Sequence, residues 1–215
     1  PLDPEEWPFM ACGDISVAGI AGRLFRISFS GEHAYEIAVP VRFGASLFDL
    51  LVKTSEAMGG GAYGMEALNV LRIEKGFLTH SELHGRTTAY DLGMQGMLKD
   101  ADFIGRAAAS RPGLVDPGRE RLVGLKPVGA VKQLSAGGFL FNTGDGATRE
   151  TAQGYITSVG FSPDNGTFLG LGFLKHGPER HGERLAFVDH LRDLHAVVEV
   201  GPPCFYDPEG GRMRG

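Results

Sequence analysis

Two glutamates four residues apart, Glu32 and Glu36, lie in the stretch RISFSGEHAYEIAVP, residues 26–40. An ionised carboxylate only accepts hydrogen bonds, so each is either hydrated or grips donors offered by a ligand. Glu32 falls in a polar turn and is expected to be hydrated. Glu36, between Tyr35 and Ile37, needs donors if its strand position is partly buried. A flat heterocycle with a paired N–H and NH2 edge supplies two donors at once. Residue types alone leave a water-facing strand-edge glutamate as the stronger of the two readings.

Other candidates carry less. MGGGAYG, residues 58–64, is glycine-rich and precedes a helical pattern, yet it lacks the Gly-Lys-Ser/Thr ending that holds terminal phosphates and Mg2+. It reads as a helix-to-helix connection. THSELH, residues 79–84, places His80 and His84 four apart, but Gly76 and Gly85 flank them and the HExxH order is absent. Surface histidines are expected there, and His176 and His181 in a charged Gly/Pro turn are expected to be solvated. No metal site is predicted. There is no G-x-S-x-G elbow, and no serine or cysteine is marked as a nucleophile, so no catalytic residue is assigned.

These residues need elements to position them. Phe25, Ile27 and Phe29 alternate with Arg26 and Ser28, so residues 23–29 read as a half-buried strand; SGEH supplies a turn, and residues 35–39 a second strand. Between positions 41 and 58, Phe43, Leu47, Leu50 and Leu51 fall on one stripe of an amphipathic helix. MEALNVLRIEKG places Leu68 and Leu71 on one face of a second helix that stops at Gly76. After a short helix and a Pro/Gly-rich link come RLVGLKPV, GGFLF, GYITSVGF, FLGLGFL, ERLAFVD and HAVVEV. Six short strand-like runs separated by turn residues predict a small antiparallel barrel or sandwich from about position 121 onward.

The 215 residues are enough for one large or two small domains, and 42% hydrophobic with 22% charged residues excludes disorder and fibrous repeats. A net charge of -5 without a basic run speaks against nucleic acid or an anionic membrane as partner. No apolar run reaches the ~18 residues that span a bilayer, and no signal peptide is recognisable. Two distant cysteines, Cys12 and Cys204, suit neither a disulfide framework nor zinc; a cytoplasmic, reducing compartment fits best. The opening Pro1, without Met, suits a piece of a longer polypeptide.

FRISFSGEHAYEIAVP, then LRIEKGF, DFIGR, RLVGLKP, GYITSVGFSP and FYDPEG, resemble in order and spacing the folate-binding aminomethyltransferase family, which includes the glycine cleavage T-protein. GRTTAYDLGM and DFIGRAAASRPGL are more similar to its branch in the alpha subunit of heterotetrameric sarcosine oxidase. The resemblance implies an α+β fold. Residues 1–112 would form the second half of a T-protein-like folate-binding domain, and residues 120–215 a C-terminal antiparallel β-barrel. It implies tetrahydrofolate as cofactor, with flavin and NAD only in other parts of a parent complex, and folate and the other sarcosine oxidase subunits as partners. Glu36 matches the glutamate that grips the pterin edge, with Tyr35 beside it. Phe29 takes the place of an aromatic near the folate, and Arg72 matches a retained, supportive arginine.

Two departures bear on this. Leu68 stands where the T-protein has a folate-contacting arginine, and the family's catalytic aspartate belongs upstream of this chain, which would leave the chain catalytically incomplete. The function implied is the one-carbon-accepting region of sarcosine oxidase, which demethylates sarcosine to glycine and captures the methylene as 5,10-methylenetetrahydrofolate. The alternatives are a non-catalytic module that assembles the complex and walls its cavity, or a fragment of a stand-alone aminomethyltransferase.

Overall fold

The computed structural model describes residues 2–215 and divides into two units, Pro1–Arg72 with Tyr206–Gly215, and Ile73–Phe205. In the first unit, β1 (Cys12–Val17) and β2 (Ile20–Phe25) pair antiparallel around Ala18 and Gly19. Both turn residues have positive φ, the twist that matches a two-residue hairpin. β3 (Glu36–Ala38) adds to β2 with Phe25 opposite Glu36, giving the order β1-β2-β3. The sheet buries Leu24, which is 1% exposed.

The strand pair is therefore present, but its connection is longer than the alternation predicts: β2 ends at Phe25, not Phe29. The cause is local hydrogen bonding. The Ser28 hydroxyl accepts from the Gly31 amide at 3.0 Å and the Ser30 hydroxyl from the Glu32 amide at 3.3 Å. Those bonds offer the backbone an alternative to the ladder.

A single 3-10 turn, Val41–Phe43, leads into α1 (Gly44–Ala57), and α2 (Met65–Lys75) follows. Only part of the expected apolar stripe of α1 is covered. Leu47 is buried, whereas Phe48, Leu50 and Leu51 remain 61%, 42% and 44% exposed. On α2, Leu68 and Leu71 are half-buried; the buried positions are Arg72, Ile73, Glu74 and Lys75, in its last turn.

In the second unit, the end of α2 is followed by an irregular stretch that carries α3 (Arg106–Ala109) and α4 (Pro112–Val115). Gly76 closes α2 with φ +77°, and a Cβ there would lie 2.6 Å from the Pro203 carbonyl, so glycine is needed for both reasons. The six predicted strands are all present: β4 (Glu120–Pro127), β5 (Phe139–Asn142), β6 (Gly154–Ser162), β7 (Thr167–Lys175), β8 (Arg184–Asp189) and β9 (Leu194–Gly201). They close in the order β4-β7-β6-β5-β8-β9, with β9 returning antiparallel to β4.

Alternation sorts the side chains. Val123, Leu125, Leu140, Ile156, Phe187 and Val198 join the interior core. Leu122, Leu169, Leu171 and Phe173 form a second cluster with Ile73 of α2 and Leu92. β7 is thus apolar on both faces, which explains its nearly continuous apolar run. Fully burying side chains of this size stabilises by about 1.5–3 kcal/mol each.

Candidate functional site

The segment between β2 and β3 is organised around Arg26, whose side chain is only 1% exposed although it reads as a polar-face residue in sequence. Its guanidinium donates to the Ala34 carbonyl at 3.3 Å and to His33 Nδ1 at 2.9 Å. It lies 5.1 Å from the Tyr35 ring centroid and 6.0 Å from that of Phe9. A guanidinium has no acceptor atom, so His33 Nδ1 accepts and its Nε2 carries the ring proton. Nε2 lies 2.9 Å from the Tyr35 hydroxyl. Arg26, His33 and Tyr35 form one brace across the base of the loop.

The two glutamates have opposite surroundings. Glu32 accepts from the Tyr206 hydroxyl at 2.7 Å and from Arg212 Nε at 3.2 Å. The expectation that it is merely hydrated is corrected: its partners lie 174 and 180 residues away in sequence, beyond the reach of a local pattern. The bond to Glu32 pushes the Tyr206 phenol up and also raises Arg212. Asp207 accepts from the backbone amides of Gly211 and Arg212, both at 3.1 Å, and so shapes the end of the segment that reaches Glu32.

Glu36, opposite Phe25 at the outer strand of the sheet, is exposed, and its carboxylate makes no hydrogen bond or ion pair among the described residues. Phe29 is 36% exposed. Tyr35 is half-buried and already engaged by Arg26 and His33. Arg72 is 4% exposed and donates from Nε to Asn69 Oδ1 at 2.9 Å. Of the four predicted binding residues, then, Glu36 and Phe29 present themselves to solvent, and Tyr35 and Arg72 are held within the fold.

The second unit holds a carboxylate that sequence reading passes over. Glu82, in the stretch expected to offer surface histidines, is fully buried. Oε1 accepts from the Thr157 hydroxyl at 2.5 Å and the Ser158 hydroxyl at 2.6 Å, and Oε2 from the Thr79 amide at 2.9 Å. Neighbouring strand residues ordinarily face opposite ways. A bulge between Ile156 and Ser158 lets both hydroxyls reach one oxygen. Nearby, Asp91 is paired with Arg119 at 2.7 Å. Burial pushes the Asp91 carboxyl up, but the Arg119 and Thr88 hydrogen bonds outweigh it and the net direction is down. Both carboxylates are saturated by protein donors and brace the barrel. His80 is exposed and His84 half-buried. No cluster of three or more metal-ligating side chains occurs among the described residues.

Comparison with known proteins agrees with the resemblance read from the sequence. Residues 1–101 match the GCVT N-terminal domain. The sarcosine oxidase subunit alpha of Rhizobium meliloti (strain 1021) is 39% identical over 211 residues, 96% of this chain and 21% of that relative. An aminomethyltransferase of Mycobacterium bovis is 33% identical over 179 residues, 80% of this chain and 45% of the relative. The chain therefore spans about a fifth of the length of the former and just under half of the latter. In structure it is similar to the glycine cleavage system aminomethyltransferase T from Bartonella henselae. The TM-score is 0.76 at 24% identity over 96% of this chain and 55% of that one, a shared α+β fold. No described helix is long and apolar enough to cross a membrane.

Proposed function

We propose that this chain, whose residues 1–101 match the GCVT N-terminal domain, serves as the tetrahydrofolate-binding, one-carbon-accepting region of a sarcosine oxidase alpha subunit. The observation that carries this reading is the carboxylate of Glu36, exposed on β3 with no hydrogen bond or ion pair among the described residues, beside a loop in which Arg26, Glu32, His33 and Tyr35 are held by hydrogen bonds. Support comes from the similarity of 96% of this chain to about a fifth of a sarcosine oxidase subunit alpha.

The residues present fit a pterin. Glu36 would accept two donors from its aminopyrimidine edge, and Phe29 offers partly exposed aromatic surface for the ring. Tyr35 and Arg72 are positioning residues: Tyr35 is fixed by Arg26 and His33, and Arg72 is anchored within α2. Tetrahydrofolate, when bound, supplies the amines that capture the one-carbon unit as 5,10-methylenetetrahydrofolate. This chain contributes orientation, which accelerates by placing reactants rather than by covalent chemistry. Leu68 at the position of the T-protein arginine leaves Glu36 as the principal charged contact to the ligand.

In the assembly that oxidises sarcosine, Glu36→Gln is expected to weaken tetrahydrofolate binding by roughly ten- to a hundredfold, the loss of a charge-assisted hydrogen-bond pair. Amine oxidation should stay unchanged. Equal folate affinity in the two proteins, read by calorimetry, removes Glu36 from the site.

One observation favours a second reading, an assembly module. Phe48, Leu50 and Leu51 of α1, with Val41, Met58 and Met65 nearby in sequence, leave large apolar side chains uncovered in the first unit. Such surface marks a protein contact more often than a free face. Folate binding that is absent from the intact assembly would decide for this module.

A further inference from the structure

We propose that a cavity on the outer side of the barrel, between β5 and residues 148–152, is a binding site for a small aryl carboxylate. It lies wholly within the second unit and does not depend on the folate reading. Its volume is about 390 Å3, and it is lined by Phe139, Phe141, Thr148, Arg149, Ala152 and His190. One or two aromatic rings fit a space of this order.

The lining divides by chemistry. Phe139 and Phe141 are alternate residues of β5; Leu140 between them points into the barrel core, so both phenylalanines face outward. Phe141 is 2% exposed and closes the floor, while Phe139, 45% exposed, stands at the mouth. The His190 ring meets Phe141 edge-on, with centroids 6.4 Å apart at 75°. A flat ring lodged against this pair, with Phe139 at its side, gains apolar burial and edge contacts.

At the rim stands Arg149, exposed, with no hydrogen bond or ion pair among the described residues, and no carboxylate lines the cavity. A planar guanidinium pairs bidentately with a carboxylate. The charge and shape demanded of the ligand are therefore a single negative group on an aromatic body.

The wall facing β5 is already built. The Thr151 hydroxyl accepts from the Thr148 amide at 3.1 Å and donates to the Gly146 carbonyl. Gln153 ties the far end, its amide donating to the Leu140 carbonyl at 2.8 Å and its Nε2 to the Thr151 carbonyl at 2.9 Å. A preformed wall spares the ligand the cost of ordering a loop.

The test is a pair of calorimetric titrations of this chain, with 2-naphthoate and with the isosteric, uncharged 2-naphthamide. Saturable binding of naphthoate at or below roughly 1 mM is expected, with the amide roughly fivefold or more weaker. Arg149→Gln should bring naphthoate down to the affinity of the amide and leave the amide unchanged. Phe139→Ala should weaken both. Circular dichroism of each variant checks that it folds, and the exposed Arg149→Gln keeps the test informative if Phe139→Ala does not. Three outcomes overturn the proposal: no saturable binding of naphthoate, equal affinity for acid and amide, or an Arg149→Gln protein that binds naphthoate as tightly as the parent.

Discussion

Glu82 in the second unit and Glu32 in the first are both held by residues far along the chain, but they keep different company. Glu82 has no exposed surface and is surrounded by hydroxyls and an amide that a bulged strand delivers to it. Glu32 sits at the surface, with a tyrosine and an arginine whose side chain is 63% exposed. Around Glu82 is a closed barrel with two apolar clusters. Around Glu32 is a three-stranded sheet whose loop is fastened by charged and polar groups. The barrel is determined many times over by burial. The first unit spends its polar groups on shaping a loop and leaves Glu36 and the α1 residues Phe48, Leu50 and Leu51 exposed.

The comparison is tested most strongly in the barrel core. Phe187→Ala is expected to destabilise the second unit by about 3–5 kcal/mol through lost burial and a residual cavity. Hydrogen exchange of β6 and β7 amides would read this. Trp7, the chain's one tryptophan, belongs to the first unit and reports on it separately. A Trp7 unfolding transition that moves as far as the β7 amides would show that the two units unfold as one and end the distinction.

Next in size is the barrel's buried carboxylate. Glu82→Ala removes the buried acceptor that the Thr79 amide and the Thr157 and Ser158 hydroxyls share, with the Leu171 carbonyl still in reach of Thr157, and is expected to cost about 2–4 kcal/mol. Glu82→Gln keeps an acceptor oxygen and should cost less. If the alanine variant loses under about 1 kcal/mol in urea unfolding, hydroxyls there re-pair at little cost and Glu82 is not a brace.

What could be read in advance follows from the range of each interaction. The six barrel strands announce themselves because short apolar runs are punctuated by turn residues, alternating in GYITSVGF and nearly continuous in FLGLGFL, which is buried on both faces. Gly76 was legible as a helix stop for the same local reason. The loop between β2 and β3 was not, because Phe25, Ile27 and Phe29 continue a strand pattern that Ser28 and Ser30 interrupt through side-chain bonds no periodicity records. Glu82 gives no local sign at all: its donors arrive 75 and 76 residues later, through a bulge. Arg26 reads as a solvent-facing strand residue until His33 and Ala34 fold back over it. Long-range polar partners decide the first unit, and these are what pattern reading cannot supply.

Arg26 provides the matching probe of that unit. Arg26→Met keeps an apolar stem but removes the guanidinium from His33 Nδ1, the Ala34 carbonyl and the Tyr35 ring, at an expected cost of about 1–2 kcal/mol. The Trp7 transition should shift while exchange in β6 and β7 holds. A shift confined to the barrel would contradict the assignment of Arg26 to the loop.

The smallest effects separate the units by pH, and in opposite directions. In the barrel, the Ser135 hydroxyl and then Arg192 hold the Asp189 carboxyl down at about 2. An aspartate depressed in the folded state binds its proton more readily when unfolded, near about 3.9. Its contribution is thus complete above about pH 4 and is lost as pH falls toward about 2. Asp189→Asn should flatten the barrel's stability curve across that acid window. In the first unit, the bond to Glu32 raises the Tyr206 phenol above its ordinary value near about 10. A raised phenol favours the protonated folded form, so its contribution is complete below about pH 10 and fades as pH climbs through the raised value. Tyr206→Phe should remove that alkaline dependence from the Trp7 transition and leave the acid window of the barrel untouched. Crossed effects, with Asp189→Asn moving the Trp7 curve or Tyr206→Phe moving the barrel's, would mean that the two sets of polar contacts are coupled rather than separate fastenings.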